Sequence, residues 1–292
     1  KSSTAAMMSS YHLHRFLMFP KFGTLTRSMQ STTPLVFSFV SLSFKKALAV
    51  LWEPFANIIN TSVWYEDYLS LLDDYGNRYG TEFYNKKKEF IKFFNKNLNL
   101  SPLPPAWDAL RGDTRVLGVI DELGLFPPPA TLNADNIIGG STDDDLYNPD
   151  DENVENVEDD KSKRANADEA HKSLTNSLST VQIISASLME QGMDAVPTGI
   201  MLGVSSPTSH TDKVMRLLRE SKTEIGSESI LGSQLPTWEV NPSISRESRT
   251  IKLAYARNAE KAERDFGANP PRVHSAFIKD TIIEKDIFVG PR

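Results

Sequence analysis

Side chains that could do chemistry are scattered along this chain of 292 residues and form no catalytic set. His12 and His14 are close in sequence, and on a strand this spacing would turn both rings to one face. A metal ion needs further ligands, and none lies near them in sequence. The chain has no cysteine, which excludes disulfides, zinc ribbons and thiol nucleophiles. We therefore predict no metal site, no cofactor and no catalytic residue, so the chain is not expected to be an enzyme.

Motifs for phosphate binding and covalent catalysis are also missing from the sequence. There is no G-x-G-x-x-G, and the segment GIMLG at 199–203 is not followed by the Lys-Ser/Thr of a phosphate loop. There is no G-x-S-x-G elbow around a nucleophilic serine. The acidic run Asp143–Asp145 lacks the glycine turn and the closing glutamate of a calcium loop. We expect it to attract cations diffusely rather than to form a site.

A lysine cluster lies beside phenylalanines in the segment TEFYNKKKEFIKFFNKNLNL, residues 81–100. Lysines next to aromatic rings could neutralise phosphates and stack on bases of nucleic acid. The apolar spacing favours another interpretation, because on a helix one stripe would be apolar and the lysines would lie largely outside it. The residues of that stripe are Phe83, Phe90, Phe94 and Leu98. The pattern predicts an amphipathic surface helix with its phenylalanines in the core.

The charge distribution divides the chain into two regions. Residues 141–160, STDDDLYNPDDENVENVEDD, contain ten carboxylates and no basic residue, and the parts before and after this strip each sum to +2. Such a strip cannot bury enough apolar surface to offset its ordering entropy. We expect a solvated linker or insertion between two packed regions. The net charge of −6 gives no overall attraction to nucleic acid or to an anionic membrane.

The first 52 residues carry basic side chains and no Asp or Glu. Three interpretations fit this composition. It is typical of an organellar transit peptide, which would be removed after import. It also fits an extended arm that lies on a neighbouring surface. In the third interpretation a basic arm contacts RNA phosphates through Arg15, Lys21 and Arg27, because such contacts need only positive charge and reach.

The apolar run at 34–44, PLVFSFVSLSF, is too short to span a membrane, which takes about 20 apolar residues. It predicts a buried helix or a core strand, followed by a kink or break at Pro54. Apolar spacing predicts helices over 63–75, 114–123, 168–192 and 245–266, and a further helix after a cap at Ser209. A strand is expected at 199–204. The fold class predicted from these elements is mainly α, with long loops and extended terminal arms.

This interpretation gives five regions along the chain. They are a basic acid-free arm (1–33), a helical aromatic-rich domain (34–140), an acidic linker or insertion (141–168), a second helical domain (169–268) and an extended carboxyl-terminal arm (269–292). Apolar terminal arms gain burial when copies of a chain assemble symmetrically. We therefore expect the chain to partner with itself in a large homo-oligomer.

The whole chain resembles the coat proteins of small double-stranded RNA viruses of the partitivirus type. The features that carry the resemblance are the basic start, the aromatic helix WYEDYLSLLDDYGNRYG, the proline-rich SPLPP, and a helical second half after an acidic insertion. No site residue is carried over from that family. The resemblance implies a self-assembling capsid protein that encloses an RNA genome, located in the virion and the host cytoplasm. The alternative is a non-catalytic accessory subunit of a mitochondrial or other organellar complex.

Overall fold

The computed structural model describes residues 2–20, 25, 33–106, 108–126 and 165–271. Contacts divide the chain into two compact units, Lys1–Val204 (unit 1) and Ser205–Arg292 (unit 2). Most of the predicted acidic linker and the final residues 272–292 lie outside the described part of the chain. Within the described part, no helix is both long and apolar enough to cross a membrane.

Unit 1 is built from helices and a single described sheet. Its helices are α1 (Ser2–Met18), α2 (Phe44–Lys46), a π-helix (Ala47–Trp52), α3 (Glu53–Thr61), α4 (Val63–Tyr79) and α5 (Ala167–Glu190). Its strands are β1 (Leu35–Val40), β2 (Tyr84–Lys86), β3 (Ile91–Phe93), β4 (Leu98–Leu103), β5 (Thr114–Asp121) and β6 (Ile200–Val204). Short 3-10 turns occur at Phe94–Lys96 and Leu123–Leu125.

The six strands form one mixed sheet in the order β2-β3-β4-β1-β5-β6. Strands β4, β1, β5 and β6 are parallel to one another, and β2, β3 and β4 are joined by antiparallel pairing. The prediction of a mainly α protein is therefore wrong, because unit 1 is an α/β fold. The sequence misled because central parallel strands are buried on both faces and read as continuous apolar runs rather than as alternating ones.

Strands β1 and β5 show this most clearly. All six residues of β1 are buried, and so are the residues of β5 after Thr114. The run 114–123 was predicted to be a helix, and it forms β5 instead, because β-branched and apolar residues fit a strand covered on both sides. The run at 34–44 is compatible with a buried helix or a core strand, and its residues 35–40 form the strand β1.

The segment 81–100 does not form the predicted helix. It forms β2, β3 and the start of β4. In β4 the buried residues alternate with half-buried ones, which is the period of two that a strand requires. The helical spacing of Phe83, Phe90 and Phe94 was fortuitous. The cross-strand pairs instead place Ile91 opposite Leu100 and Phe93 opposite Leu98, and all four of these side chains are buried.

The start of the chain does not form the predicted extended arm. Residues Ser2–Met18 form α1, whose inner side belongs to the same apolar core as β1, β5 and α3. Phe16 packs edge-to-face on Phe37 of β1, with ring centroids 6.0 Å apart. The imidazole Nε2 of His12 lies 3.1 Å from the carbonyl oxygen of Val116 in β5. This segment is thus a folded element of unit 1 and not an extended arm.

One face of the sheet carries α1, the π-helix and α3. Phe39 of β1 lies against Phe55 and Trp52, with ring centroids 4.7 and 5.6 Å away. Helix α5 covers β5 on the other face, where a Cβ atom placed on Gly118 would lie 3.5 Å from the Cβ of Leu174. The absence of a side chain at Gly118 lets α5 approach the strand closely.

Pro54 is predicted to kink or break its helix, and the structure shows no break there. The segments α2, π-helix and α3 follow one another without a break from residue 44 to residue 61, with right-handed helical angles at the junction residues Lys46, Ala47 and Glu53. Proline removes one amide donor and crowds the preceding turn. The wider π-helical turns immediately before Pro54 accommodate both effects.

Helix α5 confirms the predicted helix over 168–192. Its buried residues include Ala170, Leu174, Leu178, Val181 and Leu188, which recur at helical spacing. The N-cap is Asn166, two positions before the start of the predicted helix. Asn166 accepts a hydrogen bond from the amide of Glu169, whose carboxylate accepts one from the amide of Asn166. This reciprocal capping box satisfies two amides that the helix cannot pair internally.

A fully buried guanidinium fixes the short crossover between β4 and β5. Arg115 donates to the hydroxyl of Ser38 (2.8 Å), to the carbonyl oxygens of Leu110 (2.8 Å) and Ala109 (3.2 Å), and to Asp113 Oδ2 (3.0 Å). Burial lowers the pKa of Arg115, and the carboxylate of Asp113 opposes that shift. Arg115 thus ties residues 109–113 to the sheet.

Unit 2 contains only helices among its described elements. These are α6 (Lys213–Glu220), α7 (Glu224–Ser227), α8 (Thr237–Val240), α9 (Arg249–Arg257) and α10 (Ala259–Asp265). The long helix predicted over 245–266 is divided at Asn258, which has extended backbone angles and caps α10 through the amide of Lys261. An asparagine at this point offers its side chain as an alternative hydrogen-bond acceptor and so starts a new helix.

Candidate functional site

The carboxyl edge of the parallel strands contains a topological switch point between β1 and β5. After β1 the chain passes through α3 and α4 on one face and returns to the parallel part of the sheet as β4 on one side of β1. After β5 it passes through α5 on the opposite face and returns as β6 on the other side. In open α/β sheets, ligands bind in the crevice outside the carboxyl ends of the strands at such a point.

Ser41 directly follows β1 at this switch point. Its side chain is fully buried, and its hydroxyl has no hydrogen-bond partner among the described residues. A buried hydroxyl without a partner loses its bonds to water and gains nothing in return, so such groups are uncommon in folded proteins. The hydroxyl of Ser41 is therefore the polar group at this edge that a ligand could satisfy.

The chain after Ser41 enters a helix whose start faces the same edge. Ser43 has extended backbone angles and accepts a hydrogen bond from the amide of Lys46 (3.2 Å), which marks it as the N-cap. Lys45 and Lys46 lie in the first turn and are exposed. The first amides of a helix have no partner inside it and carry the positive end of the helix dipole. The amides at the start of this helix, together with the ammonium groups of Lys45 and Lys46, favour the binding of an anionic group.

Two carboxylates follow one another where β5 ends. Val40 pairs with Ile120, so Ser41 and Asp121 are the next residues on neighbouring strands, which run about 5 Å apart. Asp121 is buried, and Glu122 is half-buried. Glu122 has a left-handed backbone (φ 55°), and its amide donates to the carbonyl oxygen of Val204 at 2.8 Å. We call Ser41, Ser43, Lys45, Lys46, Asp121 and Glu122 the carboxyl-edge site.

This site does not contain a complete protein cage for a metal. Among the described residues there is no group of three or more His, Asp or Glu side chains that could hold one. Mg²⁺ is commonly held by one or two carboxylates together with the phosphates of a substrate. Asp121 and Glu122 are two carboxylates, adjacent in sequence, of the kind that such a site uses.

The residues singled out in the sequence lie elsewhere. Arg15 is half-buried on α1, and Lys21 and Arg27 lie outside the described residues, so RNA contact through these three positions stays a prediction. His12 and His14 are not brought together as ligands. The ring of His12 is buried against Phe16 and Phe37, and the ring of His14 lies edge-on to Trp64 with centroids 4.3 Å apart.

Sequence reasoning missed the carboxyl-edge site because its halves are about 80 residues apart and meet only through parallel pairing. A signal was present nonetheless. The run VLGVIDE ends in two acids, and the run LVFSFV is followed by Ser41, Ser43 and two lysines. An apolar run that ends in polar residues at a loop is the pattern of a buried strand that presents functional groups at its carboxyl end.

No protein-family model and no curated protein matches the chain in sequence. Among solved structures, it is similar to the large terminase of bacteriophage HK97, with a TM-score of 0.41 and 10% sequence identity. The similarity covers 85% of this chain and 42% of the terminase chain, so this chain spans less than half the length of that protein. A likeness at this TM-score supports no conclusion about a shared function.

The prediction of a viral coat protein is wrong on these findings. It depended on a mainly helical fold with extended arms, whereas unit 1 is an α/β fold and α1 belongs to its core.

Proposed function

We propose that the carboxyl-edge site binds a phosphate-bearing ligand together with a divalent cation, and that a nucleoside triphosphate with Mg²⁺ is the ligand class. The observation that carries this proposal is the buried and unpartnered hydroxyl of Ser41 at the switch point. A ligand oxygen at this hydroxyl removes the cost of leaving it without a hydrogen bond.

The surrounding groups define the charge of the ligand. The start of the helix at residue 44 and the ammonium groups of Lys45 and Lys46 favour a multiply charged anion. Asp121 and Glu122 would repel the same anion unless a cation lay between them. A phosphate chain that carries Mg²⁺ satisfies both halves of the site, since the metal then contacts the carboxylates and the phosphates at once.

The strained backbone at Glu122 also supports this proposal. A non-glycine residue in the left-handed region costs roughly 1–2 kcal/mol, and a glycine here would remove that cost. A carboxylate kept in such a conformation beside the buried Asp121 is consistent with a role for the side chain itself. The loop Ser41–Ser43 has no glycine, so the site differs from a glycine-rich phosphate loop, and its recognition depends on side chains.

Titration calorimetry of the full chain with ATP, in the presence and absence of Mg²⁺, tests the proposal. We expect binding that requires Mg²⁺, and we expect Asp121→Asn or Ser41→Val to weaken it at least about tenfold, which is about 1.4 kcal/mol. Ser185→Ala, which changes a buried hydroxyl bonded to Pro197 elsewhere in unit 1, is the matched control and should bind as the unaltered protein does. Binding of equal strength without Mg²⁺, or in the Asp121→Asn variant, would contradict the proposal.

A further inference from the structure

The lysine cluster at 86–92 lies on a β-hairpin and not on the helix that the sequence favoured. Strands β2 and β3 pair with Asn85 opposite Lys92, and the amide of Lys87 donates to the carbonyl oxygen of Phe90 at 2.8 Å to close the turn. The argument for placing Phe90 in a core came from helical periodicity, and this pairing removes it. The function of the cluster is therefore open again.

Strand alternation sorts the hairpin residues onto two faces. Ile91, Phe93, Leu98 and Leu100 point into the apolar core. The opposite face contains Asn85, Lys92 and Asn99 in a row across three strands, and the pair Lys87 and Phe90 forms the next row toward the turn. We call Asn85, Lys87, Phe90, Lys92 and Asn99 the outer hairpin face. Helix α5, which lies on this side of the sheet, packs on β5 and β6.

The outer hairpin face carries two lysines, Lys87 and Lys92, and no acid. It lies in a basic segment, since residues 84–96 contain five lysines and a single acid, Glu89, whereas the whole chain has a net charge of −6. Lys87 and Lys92 are exposed, and among the described residues neither forms an ion pair with a carboxylate. Two exposed cations that no carboxylate neutralises attract a polyanion.

An aromatic ring lies between these cations. The ammonium groups of Lys87 and Lys92 are 5.4 and 5.3 Å from the ring centroid of the half-buried Phe90. Asn85 and Asn99, both half-buried, flank Lys92 in the row of strands next to this ring. Single-stranded nucleic acid is bound by surfaces of this composition, in which an aromatic side chain stacks a base, amides reach base edges and lysines neutralise the adjoining phosphates.

We propose that the outer hairpin face binds single-stranded nucleic acid. The shape of this face favours a single strand over a duplex. A sheet face three strands wide does not enter a groove of a duplex, whereas unstacked bases can lie flat on it. The outer hairpin face shares no residue with the carboxyl-edge site.

Fluorescence anisotropy with a labelled oligothymidylate of about 20 nucleotides and the full chain tests this binding. We expect Lys87→Glu/Lys92→Glu to weaken binding at least tenfold at about 0.1 M salt, and Lys87→Gln/Lys92→Gln to lower the slope of log affinity against log salt by about 1.4, since each single-strand phosphate contact contributes about 0.7. Lys222→Glu/Lys252→Glu is the control, because it makes the same charge change at two exposed lysines in unit 2. Equal losses in the two glutamate pairs would show that net charge alone acts, and would overturn the assignment.

A second variant tests the aromatic part of the face. Phe90→Ala should weaken single-strand binding about tenfold and leave the salt slope unchanged, whereas Tyr79→Ala, at an exposed ring on α4, should have no effect. A self-complementary duplex that binds as tightly as the single strand would overturn the single-strand assignment. Unchanged ATP binding in the Lys87→Gln/Lys92→Gln variant would show that the fold and the carboxyl-edge site are intact.

Discussion

Unit 1 buries whole aromatic side chains between its sheet and its helices, whereas the described part of unit 2 buries few apolar side chains of any kind. In unit 1 the fully buried rings include Phe16, Phe37, Phe39, Trp52, Phe55 and Phe93. In unit 2, as far as residue 271, the buried apolar side chains are Leu218, Ile251 and Ala262. Ile225 and Leu231 of unit 2 are 84% and 100% exposed.

Unit 2 relies instead on polar contacts at the ends of its short helices. Asp212 accepts hydrogen bonds from the amides of Thr208, Ser209 and Met215 at 2.6, 3.1 and 2.8 Å. Glu263 accepts from the hydroxyl of Tyr255 and from the side-chain amide of Asn269, and both bonds lower the pKa of its carboxyl group. Capping bonds contribute about 1 kcal/mol each, whereas a buried aromatic ring contributes several. We therefore expect unit 2 to open at lower free energy than unit 1.

The largest effect should come from the aromatic core of unit 1. Phe39→Ala removes a ring that contacts Trp52 and Phe55, and we expect it to lower the free energy of unfolding by about 3–5 kcal/mol. Ile251→Ala in unit 2 should cost about 2 kcal/mol, because its looser surroundings can relax into the space. Hydrogen exchange resolved by peptide would measure each unit separately. Equal costs in the two units would contradict the comparison.

Substitution of Arg115 tests whether a buried polar contact contributes as much to the free energy of unfolding of unit 1 as its aromatic core does. Arg115→Met leaves the carbonyl oxygens of Leu110 and Ala109 and the hydroxyl of Ser38 without their donor, so we expect a loss of about 3 kcal/mol in the same exchange measurement. Arg78→Met, at an exposed arginine on α4, should change stability by less than about 0.5 kcal/mol. A similar small change for Arg115→Met would show that its hydrogen bonds contribute little.

The buried His12 should make unit 1 sensitive to acid. Burial, and to a smaller extent the nearby positive charge of Arg15, lowers the pKa of His12 from 6.5 to about 4. The unfolded chain therefore binds more protons between these pH values, and stability falls as pH drops from 6.5 toward 4, by up to roughly 3 kcal/mol.

Thermal unfolding across this range, compared between the unaltered protein and His12→Gln, isolates the contribution of His12 from that of the carboxylates. The difference between the two proteins should shrink as the pH falls through this window. A difference that stays constant with pH would count against a neutral His12 in the core.

The smallest effects concern two helix caps in unit 2. Asn258 accepts a hydrogen bond from the amide of Lys261 at 2.9 Å, so Asn258→Ala should cost about 1 kcal/mol. Ser248 is also an N-cap, but its buried hydroxyl has no partner among the described residues, so Ser248→Ala should be close to neutral. Hydrogen-exchange rates in residues 249–265 would distinguish the two variants. An equal loss of stability in both would mean that the type of residue at the cap matters more than the hydrogen bond observed there.

The elements that could be predicted from the sequence are those with a long apolar period and clear ends. Helices α4 and α5 each extend over several turns, and α4 ends at Gly80 in a left-handed conformation. The strand β5 could not be recognised, because a short apolar run fits a helix as well as a strand. The strands β3 and β4 were missed because the spacing of Phe83, Phe90, Phe94 and Leu98 also fits a helix. The carboxyl-edge site could not be assembled for a related reason, since only the parallel pairing of β1 with β5 places Ser41 beside Asp121.

The π-helix has a consequence for the direction of the lysines at the carboxyl edge. An α-helix turns by about 100° for each residue, so the extra residue in a π-helical turn changes the rotational phase of everything that precedes it. Trp52 and Phe55 are held by the core, and Lys45 and Lys46 lie on the far side of the widened turn. Deleting one residue between Ala47 and Leu51 would restore an ordinary helix and rotate the side chains of both lysines by about 100° around the helix axis, while the aromatic anchors kept their places.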